Sequence, residues 1–287
     1  MRIWLCALVL LAGACGGEVT PAESDFGPLG AFAPTIPPPV SLSRLRSWEC
    51  RNSAIDLLQL PAETPVELRS DLVRAQFTAI SAASDCYDDV GLETRELIAL
   101  ELAAQAFRRS PTPLDRVGCE PQSVDDPCLS DFVERFGGRA WRRALGPGER
   151  DTYRQLLTQL AEIYGSNPYK GAELTVAAIL TSPFFLYRVE LGERDRRFPE
   201  YRRYSSMEMA SRLAFALWGT TPDDELLAIA ETGDLATEDG VRREVRRMLS
   251  DPRATAEMHR VWREHLNVDR LTITSFPKTG ASSSLAP

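Results

Sequence analysis

Glu149-Arg150-Asp151-Thr152-Tyr153-Arg154-Gln155-Leu156-Leu157-Thr158-Gln159-Leu160-Ala161-Glu162-Ile163-Tyr164-Gly165 is the stretch that decides the fold class. Tyr153, Leu156, Leu157, Leu160, Ile163 and Tyr164 recur at three- and four-residue spacing. That places them on one stripe of an α-helix but on both faces of a strand. Gly165 supplies a left-handed stop. The same period continues outward. Leu97, Leu100, Ala104 and Phe107 share a face between Glu93 and Arg109, and Leu42, Leu45, Trp48, Ile55 and Leu58 share one between Ser41 and Leu60. Downstream, Glu173 to Leu180 keeps the pattern, and Ser182-Pro183 reads as a cap followed by a first-turn proline. Met207 to Trp218 ends at Gly219, and Thr221-Pro222-Asp223-Asp224-Glu225 reads as cap, proline and acids at a positive helix end. Alternating strand pattern never exceeds a few residues. The expected fold is mostly α, an irregular multi-helix bundle with no substantial sheet.

Composition narrows the function classes. The 287 residues are 44% hydrophobic and 26% charged, enough to bury a core. A formal net charge of −8 argues against a nucleic-acid partner, which needs a basic face to displace counterions. Lys170 and Lys278 are the only lysines, a skew toward arginine that reads as genome composition rather than mechanism.

The N-terminus has the form of an export signal. Arg2 precedes the apolar run Ile3 to Leu11, and Ala12-Gly13-Ala14 then lead to Cys15. Roughly nine to fourteen apolar residues are too few for a permanent membrane span. The Ala-Gly-Ala-Cys ending resembles a bacterial lipobox, so cleavage before Cys15 and lipidation of its sulfur are expected. Gly16 to Pro39, with Pro34 and Pro37-Pro38-Pro39, has the composition of an extended tether. The expected organisation is a signal peptide at 1–14, a lipid-anchored tether at 15–40 and N-terminal helical modules at 41–200. A central helical module follows at 201–271, with a coil tail at 272–287. The expected location is the bacterial cell envelope, outside the cytoplasm and attached to a membrane by lipid.

Four cysteines remain after export: Cys50, Cys86, Cys119 and Cys128. An even count in an oxidising compartment favours two disulfides. Cys119 and Cys128 flank a short loop, so Cys119–Cys128 with Cys50–Cys86 is the favoured pairing of three. No Cys-x-x-Cys spacing supports zinc or covalent haem. His259 and His265 lie about 240° apart around a helix and cannot chelate one ion from one face. No cofactor is expected.

Phe132 to Arg143 interleaves aromatics with Arg135, Arg139, Arg142 and Arg143. These are candidate anion-binding forks. The plainer reading is an amphipathic helix whose Phe132, Phe136 and Trp141 enter the core while the arginines pair with local acids. It is favoured, because charge runs usually mark a solvated face. Arg242, Arg243, Arg246 and Arg247 read as a surface in the same way. Asp88-Asp89, Asp125-Asp126 and Asp223-Asp224 are paired carboxylates, but neighbours on a helix do not face each other. No residue is singled out as catalytic.

Four stretches together resemble a family. Ser43 to Leu58, with Glu49, Asn52, Asp56, Leu57 and Leu58, is similar to the opening of a large exported family of planctomycetes and myxobacteria. Cys50 replaces that family's usual aromatic. Phe132 to Leu145 resembles its arginine signature, with Ala144 in place of proline, and Thr181 to Glu190 its Ser-Pro segment. Tyr204 to Leu235, through Ala210-Ser211-Arg212-Leu213, Leu217-Trp218-Gly219 and Pro222 to Leu226, is similar to the start of the domain of unknown function numbered 1592. The resemblance implies a helical, exported, often lipid-anchored protein, and carries no established catalytic residue. It stops near Leu271, inside the central module, so a truncated form is expected.

Two functions remain. The first is a lipid-anchored accessory module binding another exported protein or polymer at the cell surface. The second is a truncated exported enzyme, hydrolase-like or electron-transfer associated, whose site needs further C-terminal modules. An exposed apolar patch with a charged rim favours the first, and a cleft lined by unpaired carboxylates the second.

Overall fold

The computed structural model describes residues 42–74, 77–109, 111–115, 119–195 and 201–268. The expected export segment, Cys15, the expected tether and Leu271 with the expected tail lie outside them. Among the described residues the chain is helical, with α1 (Ser47–Leu58), α2 (Thr78–Ser84), α3 (Asp89–Phe107), α4 (Pro127–Trp141), α5 (Pro147–Ile163), α6 (Pro168–Thr181) and α7 (Pro183–Leu186). Then come α8 (Ser206–Leu217), α9 (Asp224–Glu231), α10 (Glu238–Leu249) and α11 (Pro252–His265). Among the described residues the strands form two short antiparallel pairs. β1 (Ser43–Arg44) pairs with β2 (Tyr187–Arg188), and β3 (Glu193–Arg194) with β4 (Arg202–Arg203). The mostly-α expectation holds.

Local signals explain the helix ends. Asp126 caps α4, accepting from Cys128 N at 3.0 Å, with Pro127 in the first turn. Leu129, Phe132, Val133, Phe136, Ala140 and Trp141 then point inward at helical spacing. Asn167 caps α6, and Ser182 caps α7 ahead of Pro183. Ser205 and Glu208 close a capping box on α8. α6 is the central helix, packed between α3 and α5. Gly171 lets it approach α5: a Cβ there would lie 2.5 Å from Leu157 O.

Three expectations need correction. α1 begins only at Ser47, because β1 pairs with β2 and leaves Leu42 exposed. On α3 the inward stripe is Ala99, Leu102, Ala103 and Ala106, while Leu97 is 63% exposed. Mostly small residues face α6 because the helices lie close, and Leu97 and Leu100 are left outside. The cap of α9 is Asp223, accepting from Leu226 N at 2.8 Å, so Pro222 precedes the helix.

The apolar interior forms two clusters. The larger joins α1, α3, α4, α5, α6 and α7 around Phe132, Leu157, Ile179 and Phe185. The smaller joins Ala210, Ala214, Trp218, Leu226, Leu235 and Met248, from α8 to α10. Phe215 of α8 belongs to the larger cluster, so α8 links the two.

Candidate functional site

The two clusters meet along a polar seam. Trp48, Asn52 and Asp56 recur every four residues and form one stripe of α1. Asn52 Nδ2 donates to Gly219 O at 3.4 Å. Gly219 has φ +63°, and a Cβ on it would lie 2.2 Å from Trp48 Cζ3 and 2.7 Å from Glu257 Oε2. Only glycine fits this position. Two guanidinium groups lie against the Trp48 ring, Arg46 at 4.4 Å and Arg260 at 3.6 Å from its centre. Arg46 pairs with buried Glu49 at 2.6 Å, and Arg260 Nε donates to Glu257 at 2.9 Å. Stacked arginines of this kind combine cation–π attraction with ion pairing.

A second knot lies at the other end of the stripe. Arg139 of α4 sits 3.0 Å from Asp224 and 3.8 Å from Asp56, and Thr221 Oγ1 donates to its backbone oxygen at 3.1 Å. Trp218 is stacked by Arg253 at 3.8 Å and anchored by its Nε1 donating to Met248 O at 3.0 Å. Burial pushes Asp56 above the usual carboxylate range, against the pull of Arg139 and Arg253. Burial likewise raises Glu257, against Arg260 and Arg46. Asp223 is also desolvated, yet hydrogen bonds from Arg247 and the Leu226 N–H outweigh burial and hold it low. Trp48 Nε1, Asp56 Oδ2 and Thr220 Oγ1 are buried without a hydrogen-bond partner among the described residues.

The candidate anion arginines do not form one fork. Arg142 is 5% exposed, and its guanidinium donates to Ala140 O, Phe184 O, Phe185 O and Tyr187 O at 2.8–3.3 Å. Burial draws its pKa down to about 9, so it remains a cation at neutral pH. Arg143 grips Glu149 with two bonds, 2.8 and 2.7 Å, and stacks on Phe184. That hydrogen bond holds Glu149 low. With Arg139 in the seam, only Arg135 stands exposed on the surface. The arginine skew therefore has a structural role: Trp48, Trp218 and Phe215 each have two guanidinium groups against the ring.

The paired carboxylates are helix caps: Asp88 accepts from Gly91 N, and Asp126 and Asp223 act as described. Cys119 and Cys128 are disulfide-bonded, with Cα atoms 5.9 Å apart. The Cys50–Cys86 pairing is wrong. Cys50 is a free thiol facing the core from α1, its pKa raised to about 11 chiefly by burial. A small buried cysteine packs as an apolar residue and needs no bridge.

α11 packs against the seam through its polar side. Its inward stripe is charged: Arg253, Glu257, Arg260 and Glu264, the last accepting from Thr78 N at 2.6 Å. Its outward stripe is apolar: Met258 is 45% exposed, Val261 40%, Trp262 53% and Leu266 61%. The helix is turned inside out.

Residues 204–282 match the model of PSD4, a protein of unknown function (DUF1592), and residues 128–190 match that of PSD5, a protein of unknown function (DUF1595). No curated protein and no solved structure matches the chain. The DUF1595 match spans α4 to Glu190, and inside it Arg142 ties the arginine signature to the Ser-Pro segment. Glu190 at its end pairs with Arg212 of the DUF1592 module at 2.5 Å. In the seam, Asn52 and Arg139 meet the Trp218-Gly219-Thr220-Thr221 turn of the same module. The signature residues are thus one another's partners. Among the described residues no helix is long and apolar enough to cross a membrane.

Proposed function

We propose that the protein is a lipid-anchored accessory module outside the cytoplasm that binds another exported protein through the outward face of α11. The inverted polarity of that helix carries the reading. Surface helices normally bury their apolar stripe and show charge to water. Here the charged stripe is occupied by the seam, which leaves Met258, Val261, Trp262 and Leu266 outside. Burying one such side chain is worth roughly 1.5–3 kcal/mol, so the row is a strong contact surface. Spacing at positions 258, 261, 262, 265 and 266 suits the ridges of another helix, so the partner contributes a helix with an apolar face. The Cys119–Cys128 disulfide agrees with an oxidising compartment.

A photo-crosslinker at Met258, used in producing cells, should trap one exported polypeptide. Val261→Asp should abolish that adduct without moving thermal unfolding. An absent adduct, or one indifferent to Val261→Asp, overturns the reading. Separately, mass spectrometry of the mature N-terminus should find a diacylglyceryl mass on Cys15.

A further inference from the structure

An aromatic row crosses the junction of α2 and α11. Phe77, just before α2, lies 5.8 Å from His265, and His265 meets Trp262 edge-on, also at 5.8 Å. Thr78 fastens this junction by donating both its N–H and its hydroxyl to Glu264. The row opens to water, with Trp262 53% exposed and His265 exposed beside it.

The described chain begins close by. β1 lies against α2, where the Arg44 guanidinium reaches Ser81 Oγ at 3.5 Å. From Ser81 back to Phe77 is one helical turn, about 6 Å along the axis. The run Pro37-Pro38-Pro39 ends five residues before Arg44. In a polyproline conformation those five residues reach about 15 Å. Flat aromatic surfaces are what proline-rich segments dock on, because their backbone is already ordered and loses little entropy.

We infer that the proline-rich segment Pro34–Pro39 of the same chain docks on the Phe77–His265–Trp262 row. Because Trp262 also belongs to the outward face of α11, this rests on the reading above for its consequence: the docked tether competes with the partner helix. It also shortens the free part of the tether and holds the folded part nearer its anchor.

Acrylamide quenching of the full mature chain tests the docking without any partner. The chain's tryptophans are Trp4, Trp48, Trp141, Trp218 and Trp262. Trp4 lies in the export segment, Trp48 is half-buried, and Trp141 and Trp218 are both 4% exposed. Quenching therefore reads Trp262. Replacing Pro37, Pro38 and Pro39 by glycine should raise the quenching constant about two-fold, since a glycine-rich linker stays a solvated coil. In a Trp262→Phe background the same replacement should change nothing. Equal quenching with and without the prolines overturns the inference. Protection that disappears on dilution assigns the row to the tether of a second copy and overturns the intramolecular form. Failure of the Met258 crosslink would instead overturn only the partner reading.

Discussion

Gly219→Ala probes the seam most directly. Two effects add. At φ +63° an L-residue costs roughly 1–2 kcal/mol relative to glycine. The new methyl group would also lie 2.2 Å from Trp48 Cζ3 and 2.7 Å from Glu257 Oε2. Trp48 cannot swing aside cheaply, because the Arg46 and Arg260 guanidinium groups lie 4.4 and 3.6 Å from its ring centre and are themselves paired with Glu49 and Glu257, and overpacking of this kind costs about 1–3 kcal/mol. Alanine restricts the unfolded chain and returns about 0.4–1 kcal/mol. The net expectation is a loss of roughly 2–4 kcal/mol in equilibrium urea unfolding. Gly233→Ala is the control: its φ is +84°, but nothing lies within 4 Å of the added carbon. It carries the backbone strain without the collision. Trp48→Ala in the Gly219→Ala background should recover part of the excess. If Gly219→Ala costs no more than Gly233→Ala, Trp48 does not pack on this turn and the seam is misread.

Three further outcomes follow from the same contacts. Arg142→Met removes the cation that satisfies four backbone oxygens and should cost about 3–5 kcal/mol, read by urea unfolding; a loss under 1 kcal/mol would show that those carbonyls find other donors. Replacing Cys119 and Cys128 by serine opens a short loop and should cost roughly 2–3 kcal/mol, with a matching drop in the denaturant midpoint. Asp56 has a folded pKa above its unfolded value, so it binds its proton more tightly when folded, and its contribution is lost as pH rises through the raised pKa. Asp56→Asn should therefore flatten the stability–pH curve just above the ordinary Asp range; an unchanged slope there would refute the assignment.

Where the sequence was legible, the cause was local. Ser182 accepts from the Phe184 N–H two residues on, so the chemistry of that cap is complete within one turn. The stripe of α4 was readable for the same reason: one helix face was apolar and the other was not. α3 defeated that logic because it is apolar on two sides, and only the closeness of α6 selects its small residues as the inner face.

By itself the sequence determined the mostly-α class, the stops at Gly165 and Gly219, the Ser182 cap, the Cys119–Cys128 bridge and the family signatures. Tertiary structure decided what the signatures are for. Asn52 and Gly219 are 167 residues apart, and the close approach of Trp48 to that glycine exists only once α1 and α8 are docked. The inside-out setting of α11 was decided in the same way. Read alone, the helix would bury Met258, Val261 and Trp262. Two arginine-stacked tryptophans across the seam, Trp48 with Arg260 and Trp218 with Arg253, take its charged stripe instead. The physical reason is that a helix turns inward whichever face finds partners, and those partners come from chain segments far away in sequence.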